Sequence, residues 1–228
     1  MARDHALLNR WAVAHTALLV EGQSRLMDLI GTADPLCELD AATGLMTLAG
    51  HRLQFALLGS VDDASGTWRW AWADPDQDEH ALAVRRTLSL RGFGRETGLW
   101  EFDEATFSTA GITDLGMTPG ATVAIVASPQ LLGGAIFSLA GPAGRTYTVL
   151  TDARLTMEAP TAFTAADLLT RALAYGADGH RDIVTVYAGA HQLPLAGQGD
   201  RLTLVFEDET ALDLTLSDDR VTTMVARH

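Results

Sequence analysis

Residues 67–73, TWRWAWA, place a tryptophan at every second position. In an extended strand Trp68, Trp70 and Trp72 would point to one face of a sheet, and Arg69 would point to the other. Each tryptophan buries roughly 150–250 Å², so three exposed indoles would reach the size of the largest apolar patch on a typical monomer. The stretch therefore predicts a strand whose tryptophan face lies in a core. The alternative is an exposed strip that binds a sugar or another protein.

The preceding segment, residues 51–61, also alternates and is the expected partner of this strand. A four-residue turn that places Val61 opposite Gly66 predicts three cross-strand pairs, namely Gly59 with Trp68, Leu57 with Trp70 and Phe55 with Trp72. A register shifted by one residue would bring polar side chains among the indoles.

The opposite face of these two strands carries the candidate ligand-binding residues Arg52, Gln54 and Arg69. Neighbouring alanines leave room for an approaching group. Two arginines on adjacent strands would hold a carboxylate or phosphate through paired hydrogen bonds. The plainer interpretation is the solvated face that antiparallel sheets commonly keep.

The hydrophobic pattern predicts an α+β fold, in which a long N-terminal helix packs on a twisted antiparallel β-meander and a smaller C-terminal helix-helix-meander unit follows. The first helix spans residues 4–30 and ends at Gly31. We place the domains at residues 1–158 and 159–228. In the C-terminal meander, alternation puts six apolar side chains on one face, namely Leu202, Leu204, Phe206, Leu212, Leu214 and Leu216.

The acidic segment that follows the tryptophans, DPDQDE, predicts the start of a helix at Pro75 that continues to Gly92. Asp74, Asp76 and Asp78 have the spacing of a calcium loop. Glu79 stands where that loop requires glycine, and Arg85 stands where it requires glutamate. We therefore interpret the acids as part of a helix terminus and expect no metal here.

Charge limits the partners of the chain. The 228 residues include 29 acidic and 16 basic side chains, which give a net charge of −13, and every basic one is arginine. The absence of lysine excludes Schiff-base chemistry and the P-loop. Without a basic stripe the chain is not expected to bind nucleic acid or anionic membranes. A basic protein is the expected partner, since an acidic surface would steer it into contact.

No signature of catalysis is present: the sequence lacks G-x-S-x-G and H-E-x-x-H, and Cys37 is its single cysteine. We accordingly assign no catalytic residue, metal ligand or cofactor. No run of 18 apolar residues occurs, so we expect a soluble cytoplasmic protein. The oligomeric state is left open.

The segment QFALLGSVDDASGTWRWAWADP, residues 54–75, is followed by LRGFGRETGLWEF, residues 90–102. This combination resembles an uncharacterised bacterial family of unknown function that carries a leucine-glycine-serine strand and a T-W-x-W-A-W strand. The resemblance is carried mainly by residues 54–102 and more weakly by the remainder. It implies no activity, cofactor or site residue. Family members often have asparagine at the position of Asp74, a difference that alters only a helix cap.

The leading hypothesis for function is a non-enzymatic binding or protein-interaction module, such as a small bacterial regulator, that acts through its acidic surface. The alternative is a small-molecule-binding protein or enzyme with a pocket between sheet and helices. In that pocket Arg52, Gln54 and Arg69 would recognise an anionic or polar ligand.

Overall fold

The structure, a computed structural model, describes residues 3–31, 36–113, 115–155, 158–176 and 178–228. It contains helices and antiparallel sheets, so the predicted α+β class is confirmed. The chain forms two compact units. The first unit comprises Met1–Asn9 and Gly22–Thr156, and the second unit comprises Arg10–Glu21 and Met157–His228. The predicted domain boundary after residue 158 stays a prediction.

The N-terminal helical region consists of two consecutive helices, α1 (Ala6–Ala14) and α2 (Thr16–Ile30), and not of one. At the junction the Thr16 hydroxyl donates to the Val13 carbonyl at 2.8 Å, and a ring nitrogen of His15 lies 2.7 Å from the Trp11 carbonyl. Such side-chain bonds compete with the helical backbone. The predicted stop at Gly31 is confirmed, because this residue has a φ of +73°.

The first unit is built on a seven-stranded antiparallel sheet. Strands β1 to β5 are successive neighbours, and β7 pairs with both β3 and β6. The strands are β1 (Cys37–Asp40), β2 (Leu45–Leu48), β3 (His51–Asp62), β4 (Thr67–Trp70), β5 (Thr106–Ser108), β6 (Ala135–Gly141) and β7 (Gly144–Leu150). The helices after α2 are α3 (Leu82–Arg85), α4 (Ser89–Thr97) and α5 (Pro119–Gln130).

The tryptophan strand β4 pairs with β3 in a register two residues away from the predicted one. The observed pairs are Gly59 with Trp70, Ser60 with Arg69, Val61 with Trp68 and Asp62 with Thr67. The cause lies in the turn, where the Asp62 carboxylate accepts bonds from the backbone N–H and the hydroxyl of Ser65, both at 2.7 Å. The Gly66 N–H also donates to the Asp62 carbonyl. The turn therefore closes one residue later on each strand.

A β-bulge in β3 reverses the faces of this strand. The register against β7 shifts between Leu57, which lies opposite Thr148, and Gly59, which lies opposite Tyr147. One extra residue moves all preceding side chains to the other face. Phe55 and Leu57 therefore lie on the face away from the tryptophans, and the prediction that they pair with them is wrong.

Two of the three tryptophans form a core, as predicted. Trp68 and Trp70 are fully buried, and their rings contact each other edge to face at 5.2 Å. Trp72 is half-buried and lies in a 3₁₀ turn, Ala71–Ala73, because the strand ends at Trp70. The prediction of a strand through residue 73 is thus wrong at its end.

The helix predicted from Pro75 begins only at Leu82. In the loop before it, the Asp74 carboxylate accepts a bond from the Asp76 N–H at 3.1 Å, and the Asp78 carboxylate accepts one from the His80 N–H at 2.9 Å. Bonds of this kind stabilise turns in competition with helix. The acids lie in a loop, so their predicted role at a helix terminus is wrong.

The second unit contains α6 (Ala162–Leu173), α7 (His180–Ala190) and a four-stranded antiparallel sheet in the order β11-β10-β9-β8. The strands are β8 (Leu195–Ala196), β9 (Arg201–Val205), β10 (Ala211–Ser217) and β11 (Arg220–Arg227). All six apolar side chains predicted to share a face are buried. On the polar face the Thr203 hydroxyl donates to Asp213 at 2.8 Å, as the alternation predicts.

Candidate functional site

The structure separates Arg69 from the other two predicted ligand-binding residues, although all three are exposed. Arg52 and Gln54 lie near the start of β3, whereas Arg69 lies opposite Ser60, eight residues beyond Arg52 on that strand. This interval corresponds to about 26 Å at the usual rise of a strand. The bulge also places Arg69 on the other face. The prediction that Arg52 and Arg69 would hold one anion together is therefore wrong.

Gln54 instead contacts Arg86, in the 3₁₀ turn Arg86–Leu88 that follows α3. Nη2 of Arg86 donates to Gln54 Oε1 at 3.1 Å. Nη1 donates to the Phe55 carbonyl at 2.8 Å and to Thr151 Oγ1 at 3.2 Å. All three acceptors are neutral, so none of them balances the charge of the guanidinium.

A gap in the sheet gives Arg86 its position. On one edge of β3, β2 pairs as far as Gln54, and β4 begins to pair at Gly59. The guanidinium lies in this interval and satisfies the Phe55 carbonyl. Gly44, with a φ of +65°, lies nearby, and an added Cβ there would be at contact distance, 3.4 Å, from Nη1 of Arg86. The backbone of β1 to β4 thus determines where the cation lies.

The half-buried guanidinium of Arg86 forms no salt bridge with any carboxylate in the described ranges. A guanidinium carries five N–H groups. The observed bonds use Nη1 twice and Nη2 once, which leaves Nε–H and one N–H of Nη2. Nε and Nη2 share one edge of the planar group, and such an edge matches the two oxygens of a carboxylate or phosphate.

An ion pair lies beside this cation. Asp152 accepts a bond from Nε of Arg154 at 2.7 Å and another from the Gln54 N–H at 3.2 Å. Arg154 also donates to the Arg52 carbonyl. The hydrogen bonds from Arg154 lower the pKa of Asp152 from 3.8 to about 2. Asp152 therefore neutralises Arg154, and no carboxylate among the described residues forms a salt bridge with Arg86.

Asp152→Asn is expected to lower the free energy of unfolding at neutral pH and to weaken its acid dependence. Because the folded pKa of about 2 lies below the ordinary value of 3.8, the ionised carboxylate contributes stability above about pH 4. This contribution is lost as the pH falls through 2. Urea unfolding of both proteins at pH 7 and about pH 2.5 measures it. A stability difference that is equal at both values would contradict the assignment.

The sequence predictions missed Arg86, Thr151, Asp152 and Arg154. Arg86 stands next to Arg85 in the run VRRTLS, and neither neighbour distinguishes it. The segment TDAR, residues 151–154, did carry a signal. Aspartate favours turns because its carboxylate accepts from the backbone N–H two residues later, and Asp152 does so from Arg154 at 3.1 Å.

The described residues also bear on metal binding and on membrane insertion. In these ranges no group of three or more His, Cys, Asp or Glu side chains is arranged to hold a metal ion. Nor does this part of the chain contain a helix long and apolar enough to cross a membrane.

Comparison with known proteins gives a family but no activity. No curated protein and no solved structure matches the chain. A model of a family of unknown function, DUF6882, matches residues 9–153, which is more than half of the 228 residues. The matched region includes Gln54, Arg86, Thr151 and Asp152 and stops one residue before Arg154. On this match the chain belongs to DUF6882, a family of unknown function.

Proposed function

We propose that this protein is a non-enzymatic binding protein that holds the anionic group of a small molecule at Arg86. The observation that carries the proposal is a half-buried guanidinium with three neutral acceptors and no carboxylate partner among the described residues. Charges removed from water are ordinarily paired. A bound carboxylate or phosphate would supply the missing counter-charge.

Gln54 would add to the recognition of the ligand. Its Oε1 accepts the bond from Arg86, and this contact leaves the two N–H groups of its carboxamide as donors. The site would thus offer donors from both side chains, which suits a ligand group that only accepts hydrogen bonds. Arg52 is exposed two residues before Gln54 and would attract an anionic ligand from a distance. Arg69 would take no part in binding this ligand.

The overall charge opposes this binding. A net charge of −13 repels small anions at a distance, so affinity must come from the local bonds at Arg86. We expect a dissociation constant on the order of 1 mM for a simple inorganic anion. The hypothesis of a basic protein partner depends on the net charge alone and stays a prediction.

Inorganic phosphate is the first probe, with sodium chloride at equal ionic strength as the reference. Phosphate is expected to raise the melting temperature of the full chain in a saturable way, as a ligand of the folded state does. Arg86→Lys keeps the charge but loses the planar pair of donors, so its affinity is expected to fall about tenfold.

Arg85→Lys is the matched control, because Arg85 is the adjacent residue and is exposed. It is expected to bind phosphate like the unmodified protein. Equal phosphate saturation curves for Arg86→Lys and Arg85→Lys would show that Arg86 does not bind the phosphate. A rise in melting temperature that depends on ionic strength alone would contradict the proposed function.

A further inference from the structure

An exposed apolar side chain, Leu82, lies next to the guanidinium of Arg86. A Cβ added to Gly44 would lie 3.4 Å from Cδ2 of Leu82 and 3.4 Å from Nη1 of Arg86, so both side chains lie against the same residue of the β1–β2 turn. Leu82 is 42% exposed, although it is a large apolar residue. A cation and an accessible apolar surface therefore adjoin each other.

The β1–β2 turn also fixes the position of Leu82 at the start of α3. The Leu82 N–H donates to the Ala42 carbonyl at 3.2 Å, and the Ala83 N–H donates to the Ala41 carbonyl at 3.1 Å. The Arg86 N–H donates in turn to the Leu82 carbonyl. Residues four apart on a helix lie on the same face, so the backbone brings the two side chains together before any ligand binds.

The charges around Arg86 favour a ligand with one negative charge. Asp152 and Arg154 form an ion pair at 2.7 Å, so neither supplies a net charge to the site. Arg52 lies close enough to Asp40 for their charges to attract each other. Arg86 contributes a single positive charge, and a ligand with two negative charges would bring the second one near Asp152. The net charge of −13 also repels a dianion more strongly than a monoanion.

We propose that the ligand of this site is a monocarboxylate with an aliphatic chain, whose carboxylate binds Arg86 and whose chain lies on Leu82. This inference rests on the proposed function and adds the chemical class of the ligand to it. The planar edge of the guanidinium matches a carboxylate, and aliphatic carbon that leaves water on Leu82 adds affinity in proportion to its area. Arg86 thus binds the anionic group, and Leu82 determines the specificity.

A series of acetate, butanoate and hexanoate tests the role of Leu82. Dissociation constants are measured on the full chain at equal ionic strength, from the NMR signal of the Arg86 Nε–H group. Each added methylene is expected to lower the dissociation constant about twofold to fourfold. Succinate carries a second carboxylate where butanoate has its terminal methyl group, and it is expected to bind about tenfold more weakly than butanoate.

Leu82→Ser is expected to remove most of the dependence on chain length and to leave the dissociation constant of acetate unchanged. Leu88→Ser is the matched control, because Leu88 is 45% exposed and belongs to the same helical region. It lies two residues after Arg86, and residues at this spacing do not face each other on a helix. The Leu88→Ser protein is expected to keep the full dependence on chain length.

The outcomes separate this inference from the proposed function. If neither phosphate nor acetate saturates the Arg86 signal, the proposed function is overturned and this inference with it. If acetate saturates the signal but longer chains bind no more tightly, or if Leu82→Ser keeps the full dependence on chain length, only the ligand class is overturned. Succinate that binds as tightly as butanoate has the same consequence. If Leu82→Ser does not fold, Leu82→Ala is judged by the same criterion.

Discussion

Gly22→Ala is expected to destabilise the protein by more than about 4 kcal/mol, and this is the largest effect that the structure predicts. A Cβ at this position of α2 would lie 1.3 Å from the Gly134 carbonyl oxygen. Gly134 has no room to move away, because its own Cα lies against the Leu155 backbone, where an added Cβ would come within 2.2 Å of the carbonyl oxygen. Its N–H also donates to the Leu150 carbonyl at 2.9 Å.

Gly92→Ala is the matched control for this substitution. Gly92 also lies within a helix, α4, but nothing is found within 4 Å of its added Cβ. Alanine is favoured over glycine in helices, so a gain of about 0.5–1 kcal/mol is expected. Urea unfolding followed by circular dichroism measures both variants. A Gly22→Ala protein within about 1 kcal/mol of the original would show that the contact of α2 with Gly134 is misplaced.

Trp70→Phe is expected to cost about 1–3 kcal/mol more stability than Trp68→Phe. Both side chains are fully buried, and both substitutions remove a similar volume. The Trp70 indole donates to the Glu101 carbonyl at 2.8 Å, whereas the Trp68 indole nitrogen has no partner among the described residues. Only Trp70→Phe leaves a buried carbonyl without its donor, which adds a desolvation penalty to the loss of packing.

The comparison of the two variants by urea unfolding isolates the hydrogen bond from the cavity. Trp70→Leu, which also lacks the donor, should retain the penalty. Equal losses for Trp68→Phe and Trp70→Phe would mean that the Glu101 carbonyl finds another donor, and that this bond does not fix the tryptophan core on residues 100–102.

Local patterns in the sequence predicted the α+β class, because alternation and turn residues act over a few positions. They correctly predicted the buried face of β9 and β10, the stop of α2 at Gly31, and the core position of Trp68 and Trp70. The bulge between Leu57 and Gly59 was missed. The run FALLG has no polar residue whose position would show that the strand changes face.

The candidate site was predictable only in part. Gln54 contacts Arg86, and its role in binding stays a prediction. Arg69 does not lie in the candidate site, because the bulge reversed its face and the register moved it along β3. Arg86 was missed, because its position depends on a gap between β2 and β4. A gap of this kind arises from strand lengths and from the turn at Gly44, and neither leaves a signal near residue 86. The start of α3 was predicted too early because of the acids at residues 74–78. Their carboxylates accept backbone bonds in turns as well as at helix ends.

The central proposal, an anion held by Arg86, is tested most directly by the NMR signal of its Nε–H group during titration of the full chain with inorganic phosphate. This N–H is one of the two donors that the described contacts leave unused. Its signal is expected to shift and to saturate, while the Nε–H of Arg154, which donates to Asp152 at 2.7 Å, stays in place. An unmoved Arg86 signal, or equal unsaturated shifts at all exposed arginines, would contradict the proposal.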